Sequence, residues 1–578
     1  MTIIKRVFPL IILMIISFWS IKPFFNKGFF QMHDDTQVAR VYEMHRALSD
    51  GLFPVRWVPD LGYGFGYPIF NFYAPLVYYL GGILAFLGFN ALVVTKIIMA
   101  MGIIFAGIFM YFLSKEFWGR AGGLISASLY IYAPYHAIDI YVRGDLAEFW
   151  AYAFIPLAFF GMYKLSLSLK TYANSQYLKN NSLIKKSIWG WLCVSSLGYA
   201  AIILSHNLAA MMVTPFLFIF TCILYISLRT EERIYRPYFV ILALLMGIAL
   251  SAFYWLPVFP ELTYTNVLSV VGGGSNYKDH FVCLSQLWNS PWGFGGSAPG
   301  CTVDGLSFKI GKLHILLSLL SLPALALLFK RDKAKAIIIV YFIISCIFSI
   351  FLMLKESLFI WNFIPHMAFF QFPWRFLLLT SFFTSFLGGS IIYVLPKFSN
   401  YFKVGFTAAL LLLIVFLNYK LFVPQKNIEV NSESYTDKSI LVWKTSKASD
   451  EYLPRNFFIP ILPKFVPTSR FIANKDVNVT SIIDKTQLLS FNSQAKNKTT
   501  LKINLAYFPA WHVFLDNKQT WFKYSNRGII LDIPKGKHKL EIKFIQTPIE
   551  KAGNAISIAG VIGLLIGIIK RKKDNYNG

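Results

Sequence analysis

The sequence predicts a polytopic α-helical membrane protein that carries a β-rich domain near its C-terminus. Of its 578 residues, 56% are hydrophobic and only 14% are charged, which is far less charge than a soluble chain of this length carries. Apolar runs of about 20 residues recur between Met1 and Tyr419, and each is long enough to cross a bilayer. From about Val423 to Lys551 the long apolar runs stop, and charged residues and asparagines become frequent.

The apolar runs divide into twelve candidate spans. These cover residues 7–25, 91–113, 119–137, 147–166, 188–205, 208–228, 237–255, 312–330, 336–354, 375–395, 403–422 and 552–569. A further apolar run, 70–88, is left out because counting it would move the basic loops 167–187 and 330–333 outside, against the positive-inside tendency. Run 70–88 is therefore expected to lie in the outer interface, and a topology of thirteen spans is the alternative.

This topology places both termini in the cytoplasm and two long loops outside, within a membrane domain that ends at residue 422. They are named loop 1 (26–90) and loop 2 (256–311). Cys283 and Cys301 both lie in loop 2 and could form a disulfide if that side is oxidising. The formal net charge of +27 is concentrated beside the spans, so it indicates membrane orientation rather than binding to nucleic acid.

Residues 423–551 are predicted to form an outer β-rich domain, sandwich-like in character. The segments 501–508 (LKINLAYF) and 538–544 (HKLEIKF) alternate with a period of two, and Asn526-Arg527-Gly528 supplies one of the turns. The last unit, 552–578, is predicted to be one span with a basic cytoplasmic tail.

The sharpest polar cluster is His33-Asp34-Asp35, directly after the first span. A helix that begins near Thr36 would use one aspartate as its N-cap, which explains one acid without invoking function. Capping does not explain a second acid and a histidine at a membrane surface. We therefore predict that Asp34 or Asp35 is a catalytic base or a metal ligand. The sequence identifies no cofactor with certainty, and a divalent metal ion, magnesium or manganese, is left open.

Arg143, Asp145 and Glu148 form a second cluster in the motif RGDLAE, between the third and fourth spans. A simple ion pair within the loop would account for Arg143 and Asp145. Glu148, however, lies about one turn inside the apolar segment, where an acid is costly and usually functional. An arginine beside carboxylates at a lipid surface also suits a phosphate group, which arginine binds bidentately.

Two further residues lie at the outer ends of spans. His206 separates two apolar runs and could simply be a hydrogen-bonded loop residue, while Arg375 follows Trp374 and could snorkel to the head groups. We predict that both contact substrate instead. The predicted substrate-binding set is His33, Arg143, Asp145, Glu148, His206 and Arg375.

The order of these motifs resembles that of the GT-C superfamily of membrane glycosyltransferases, and within it the YfhO-like proteins, also described as 6-pyruvoyl-tetrahydropterin-synthase-related membrane proteins. The resembling segments are HDDTQVARV, RGDLAEF, the SHN turn, FQFPWRF, YFPAWHVFLD and GKHKLEIKF. The resemblance implies a GT-C-like bundle whose first outer loop carries an acid, and a polyprenyl-phosphate-linked sugar as donor. It also implies that Asp34 or Asp35 is the base or metal ligand, and that Arg143 and Arg375 contact the lipid phosphate.

Three functions are compatible with this pattern. The first is transfer of a sugar from a polyprenyl phosphate to an acceptor of the cell envelope, a glycan, lipid or protein, on the outer face of the cell membrane. A transporter or flippase would place ionisable groups near the bilayer midplane, often in repeated halves, but the centres of these spans are almost free of charge. A non-catalytic assembly protein would have a similar sequence. The pattern favours the transferase.

Overall fold

The structure of the protein is a computed structural model that describes residues 2–174, 182–228, 238–267, 275–301, 304–395, 399–472 and 474–573. The first helices are α1 (Thr2–Ile21), α2 (Gln37–Ser49), α3 (Ile69–Phe72), α4 (Leu76–Ala85), α5 (Ala91–Ile131), α6 (Pro134–Ile138), α7 (Leu146–Asn174), α8 (Ser182–Ser205), α9 (Asn207–Leu228), α10 (Tyr238–Leu250) and α11 (Ala252–Glu261). The later helices are α12 (Leu284–Trp288), α13 (Lys312–Leu319), α14 (Ser321–Arg331), α15 (Lys333–Phe351), α16 (Leu358–Phe363), α17 (Leu377–Gly388), α18 (Ile391–Val394), α19 (Asn400–Asn418), α20 (Glu433–Thr436), α21 (Ser446–Ala448) and α22 (Pro548–Lys573).

The protein is a multi-pass membrane protein. Within the described ranges, ten helices are long and apolar enough to cross a membrane, or eleven if α10 and α11, which meet at a 63° bend, count as one span. Parts of four predicted cytoplasmic segments lie outside the described residues: 175–181, 229–237, 396–398 and 574–578.

The predicted spans 91–113 and 119–137 belong to a single helical run that reverses direction. Gly119 has φ 71°, outside the helical range. A β-carbon on Gly107 would lie 2.5 Å from Cδ1 of Ile131, whereas in one straight helix these positions would be about 36 Å apart. α5 is therefore a hairpin of two antiparallel arms. It counts as one helix in the structure but as two of the twelve predicted spans, which explains why the predicted number exceeds ten or eleven.

Run 70–88 forms the short helices α3 and α4 rather than a span. α4 has ten residues, so it is about 15 Å long, about half the thickness of the hydrocarbon core. Val77 and Tyr78 of α4 are buried in the protein, so this apolar run packs into the rest of loop 1. Its omission from the predicted spans agrees with this length.

The C-terminal β-domain consists of two antiparallel sheets. Its strands are β3 (Val477–Lys485), β4 (Leu488–Ala495), β5 (Thr499–Ile503), β6 (Trp511–Leu515), β7 (Lys518–Thr520), β8 (Lys523–Ser525), β9 (Gly528–Ile533) and β10 (Gly536–Phe544), after the two-residue strands β1 (Phe29–Phe30) and β2 (Asn427–Ile428). One sheet has the order β3-β4-β10-β6-β7, and the other has the order β5-β9-β8. The strands of these two sheets lie between Val477 and Phe544, within the predicted range 423–551. The described residues from 423 to 476 form a linking segment of short helices, loops and the strand β2.

The β-domain and the linking segment are fixed to loop 1. β1 in loop 1 pairs with β2 in the linking segment. Trp57 of loop 1 packs edge-on against Trp511, with ring centroids 5.4 Å apart. Arg470 donates a 2.9 Å hydrogen bond from Nη1 to the carbonyl of Gly64. Loop 1 therefore connects the membrane bundle with the β-domain.

Candidate active site

The candidate site forms where loop 1 meets the chain between α6 and α7. The backbone N–H groups of His33 and Asp34 donate to the carbonyls of Val142 and Arg143 at 3.0 and 2.8 Å. These bonds bring the first two predicted clusters side by side, although more than 100 positions separate them in the chain.

A local change of helix geometry aims Arg143 into the site. Asp139–Arg143 form one π-helical turn, which ends at Gly144 with φ 69°. Glycine adopts this left-handed conformation without strain, and a β-carbon at Gly144 would lie 2.3 Å from the sulfur of Met32. The sharp exit lets α7 begin at Leu146, with Asp145 immediately before it.

Five side chains form an ionic cluster: Asp139, Arg143, Asp145, Glu148 and Arg375. Arg143 donates from Nη1 to Asp139 at 2.7 Å, and from Nη2 to Asp145 at 2.8 Å and Glu148 at 3.0 Å. All five side chains are buried, which strengthens the attraction but removes the water that would otherwise solvate the charges. Arg143 thus has three carboxylates as hydrogen-bond acceptors.

Two aromatic side chains complete the surroundings of Arg143, and the sequence pattern gave no signal for either. The hydroxyl of Tyr135 accepts from Arg143 at 3.1 Å and donates to Glu148. The ring of Trp374 lies 5.1 Å from the guanidinium carbon in a cation–π contact. In the sequence, Trp374 is distinguished only by its position before Arg375.

Arg375 has fewer hydrogen-bond partners than Arg143. Its Nη1 donates to Glu148 at 3.3 Å, while its Nε is buried and has no hydrogen-bond partner within the described ranges. A buried guanidinium N–H without an acceptor is unfavourable unless a ligand supplies one. Arg375 therefore has a buried donor available for an anion.

His206 presents an N–H group to the same place. Its Nδ1 accepts a 3.0 Å hydrogen bond from the backbone N–H of Ala209, so in the neutral ring the proton lies on Nε2. Nε2 is 3.9 Å from Asp145. Burial lowers the pKa of His206, and the carboxylate of Asp145 only partly opposes this effect, so the ring acts as a neutral donor.

Asp34 lies at the edge of the cluster, and the residue is exposed. Desolvation by the surrounding protein raises the pKa of Asp34, and the nearby carboxylate of Asp145 raises it further, while neighbouring arginines oppose the rise. The pKa of Asp145 moves the other way: burial alone would raise it, but His206 and Arg143 lower it to about 2. The two carboxylates therefore have distinct proton affinities.

Arg40, which is not among the predicted site residues, also borders Asp34. It is 5% exposed, its guanidinium lies 4.3 Å from the ring centroid of Tyr73, and its Nη2 donates to Ser449 at 3.2 Å. A signal was present in the sequence: Gln37, Arg40 and Glu43 recur at i, i+3 spacing in α2, and all three are buried.

Asp35 and His33 point to other neighbours. Asp35 lies 3.8 Å from Nζ of Lys444 in the linking segment, and desolvation raises its pKa to about 6 despite that lysine. Nε2 of His33 lies 2.8 Å from the carbonyl of Phe294 in loop 2. The structure thus brings together Asp34, Arg143, Asp145, Glu148, His206 and Arg375, whereas Asp35 and His33 contact the surrounding segments.

Loop 2 covers the site from the side of Trp374. The indole N–H of Trp374 donates to Ser297 at 3.2 Å. Cys283 and Cys301, which close this part of loop 2, form a disulfide with a Cα separation of 5.7 Å. The disulfide between Cys283 and Cys301, which the sequence analysis left open, is therefore present.

Three side chains of the site could hold a metal ion by distance alone. The ligand atoms of Asp145, Glu148 and His206 all lie within 4.8 Å of one another. This set differs from the predicted ligands Asp34 and Asp35. In the structure the two carboxylates accept hydrogen bonds from Arg143, and Nε2 of His206 carries a proton in the neutral ring. A metal ion would therefore have to displace the hydrogen bonds from Arg143 and the proton on Nε2 of His206.

An apolar groove of about 400 Å³ runs between α9, α15 and the segment 358–376. Met212, Phe216, Ile219, Tyr341 and Phe376 are among its lining residues. Phe376 directly follows Arg375, and His206 directly precedes α9. The groove lining and the two residues with donors for an anion are therefore neighbours in the chain.

Comparison with known proteins gives distant similarities. No protein-family model matches the chain. An uncharacterized protein of Lactococcus lactis subsp. cremoris (strain MG1363) is 24% identical over 361 residues, which are 61% of this chain and 54% of that protein. The chain therefore spans about half the length of this curated relative.

Two solved structures share part of the architecture. The crystal structure of the Archaeoglobus fulgidus oligosaccharyltransferase tethered with an acceptor peptide aligns with a TM-score of 0.43 and 16% identity, over 73% of this chain and 55% of that one. The cryo-EM structure of the arabinofuranosyltransferase AftD from Mycobacteria aligns with a TM-score of 0.43 and 13% identity, over 74% of this chain and 27% of that one. We therefore infer function from the geometry of the site itself.

Proposed function

We propose that the protein is a membrane glycosyltransferase of the GT-C type, which moves a sugar from a polyprenyl-phosphate donor to an acceptor of the cell envelope. One observation carries this proposal: an apolar groove is lined by α9, which directly follows His206, and by Phe376, which directly follows Arg375. A lipid phosphate needs such a combination, because its tail requires an apolar groove and its head requires buried donors.

In the proposed reaction Asp34 acts as general base. It accepts the proton of the acceptor hydroxyl as that oxygen forms a bond to the anomeric carbon of the sugar. The bond between the anomeric carbon and the phosphate oxygen breaks, and the polyprenyl phosphate leaves with the bonding pair. Arg375 and the Nε2–H of His206 stabilise the negative charge on the departing phosphate.

The remaining residues of the ionic cluster position these groups. Arg143 holds Asp139, Asp145 and Glu148, and Glu148 in turn contacts Arg375. The donors of Arg375 and His206 face the departing phosphate, so we propose that transfer proceeds without a divalent metal. Chelation should then leave the rate unchanged, and a loss of activity in EDTA that manganese restores would contradict this part of the proposal.

We propose that the site faces the extracytoplasmic side. Lys164 and Lys335 both contact Glu116 near the reversal of α5. Lys164 is eighteen positions along α7 from Leu146, about 27 Å from the ionic cluster. Basic residues thus gather at the end opposite the site, and the positive-inside tendency assigns that end to the cytoplasm.

The donor proposal is tested by identifying the lipids that co-purify with the protein. Native mass spectrometry should detect a polyprenyl phosphate bound to the wild-type protein and lost from Arg375→Ala. The loss of a charge-assisted hydrogen bond, worth about 1.5–3 kcal/mol, should weaken binding about 10- to 100-fold.

Arg120→Ala is the matched control, since Arg120 is an exposed arginine near the basic end of the bundle. This variant should retain the lipid. Recovery of ordinary phospholipids alone from the wild-type protein would contradict a polyprenyl-phosphate donor. Mass spectrometry of envelope glycans from a deletion strain and its parent should then show which sugar is missing.

A further inference from the structure

The β-domain contains an open aromatic cleft that the proposed reaction does not use. It has a volume of about 460 Å³ and lies along β6, β7 and β8, far along the chain from the ionic cluster. The side chains that matter here are Tyr507, His512, Gln519, Trp521, Phe522 and Tyr524.

Two aromatic side chains of the cleft are largely exposed. Trp521 is 95% exposed and Tyr524 is 60% exposed. Tyr507 stacks on Tyr524 with ring centroids 4.0 Å apart and planes 9° apart, which holds two flat faces in a fixed orientation. An exposed tryptophan beside a stacked pair of tyrosines is typical of a binding surface.

Polar groups lie between these faces. The amide of Gln519 donates to Nδ1 of His512 at 3.1 Å. With Nδ1 as acceptor, Nε2 of His512 is a donor, and the carbonyl oxygen of Gln519 remains an acceptor. A donor and an acceptor between flat apolar faces match a sugar ring, which presents C–H groups on its faces and hydroxyls around its edge.

The charge beside the cleft is positive. Residues 507–545, which include the cleft, contain seven lysines and arginines but three acids. Two of these lysines, Lys518 and Lys523, are exposed and form no ion pair within the described part of the chain. An acidic ligand would complement them.

The cleft is also tied to the segment that carries Asp34. Tyr507 adjoins Phe508, whose ring centroid lies 6.3 Å from that of Trp57 in loop 1. The N–H of Ala506 donates to the carbonyl of Phe65 at 2.7 Å. A ligand in the cleft is therefore held on a surface that is continuous with loop 1.

We propose that the aromatic cleft binds an anionic oligosaccharide, as a docking site for the acceptor glycan outside the reaction centre. Its assignment to the acceptor rests on the proposed glycosyltransferase function. Its binding of oligosaccharide does not require turnover and can be measured separately.

The test uses the full-length protein in nanodiscs with Asp34→Asn, so that binding is observed without transfer. The probes are the acidic and neutral oligosaccharides released by mild acid from the envelope of the source cells, separated by anion exchange and immobilised for biolayer interferometry. We expect the acidic fraction to bind, and Trp521→Ala to weaken binding at least tenfold. Phe465→Ala, a matched loss of an exposed ring elsewhere, should have no effect.

Failure to bind either fraction, or equal binding by Trp521→Ala, overturns the cleft proposal. Lipids that carry a quencher provide a further test. If they quench the fluorescence that Trp521→Ala removes, Trp521 lies in the membrane, and the cleft proposal is overturned in favour of a membrane anchor. If the cleft binds acidic glycan but no donor lipid or transfer is found, the proposed function fails and the binding site stands. Thermal unfolding of each variant checks that the β-domain remains folded.

Discussion

At the scale of single residues, the structure separates two neighbouring acids that the sequence treated alike. Asp34 borders the ionic cluster, whereas Asp35 faces Lys444 and the linking segment. Alternation along an extended backbone directs adjacent side chains to opposite sides. Only Asp34 therefore has both solvent access and the cluster as its neighbour.

Asp34→Asn keeps the shape of the side chain but cannot accept a proton. We expect kcat to fall by about 10²- to 10⁴-fold, because this is the usual contribution of a general base. Asp35→Asn should retain most of the activity. Radiolabelled sugar transfer by both purified variants measures the difference, and equal loss in the two would assign the chemistry to the pair.

The pH dependence of transfer should identify the base independently. A base must be deprotonated, so kcat/KM should fall as the pH drops through the raised pKa of Asp34, above the usual range of an aspartate. Desolvation also raises the pKa of Asp35, to about 6. If Asp35 were the base, the acid limb of the profile would disappear in Asp35→Asn; we expect this variant to retain it.

At the scale of elements, the apolar groove depends on how α9 packs beside α15. Ile219 lies on the groove side of α9 and is 50% exposed. Ile226, two turns further from His206 on the same helix, is 63% exposed and lies outside the groove lining. The two positions offer a matched pair of substitutions.

Ile219→Trp should fill the groove and raise the KM for a donor with a long polyprenyl tail. We expect about a tenfold rise, equivalent to about 1.4 kcal/mol, while a donor with a two-isoprene tail is affected less. Ile226→Trp should leave both values unchanged. Steady-state kinetics with the two donors makes the comparison, and an equal response to both substitutions would exclude the groove as the tail site.

At the scale of the whole molecule, one buried network joins loop 1 to the last helix. Arg56 is 1% exposed, lies 3.5 Å from Glu550 of α22, and donates to Asn71 at 2.8 Å. Asn71 donates to Glu261 at 2.6 Å. The loop that carries Asp34 is thus anchored to both α11 and α22.

Arg56→Met should destabilise the protein by about 3–5 kcal/mol, because it leaves the carboxylate of Glu550 buried without its charge partner. The double variant with Glu550→Gln should regain part of this loss. Thermal unfolding in detergent provides the measurement. Additive effects of the two substitutions would show that the pair is not coupled.

The spans and the polar clusters were predictable from the sequence because each is a local property. A run of apolar residues must form helix in a bilayer, since only helix satisfies its backbone there. The predicted spans 7–25, 188–205 and 403–422 therefore agree to within three residues with the apolar helical segments Val7–Phe25, Ser187–Ser205 and Asn400–Leu421. Asp34, Arg143 and Glu148 were recognisable because acids and arginines at span ends are uncommon without a role.

Only the tertiary structure decided which of these residues act together. Arg375 and Glu148 are 227 positions apart, and no local pattern predicts their contact. The three carboxylates around Arg143, the buried Nε of Arg375, the burial of Arg40 and the groove between α9 and α15 all depend on packing between distant segments. Sequence determined the parts because apolarity and charge belong to single segments, whereas the site arises from distances that only the folded chain fixes.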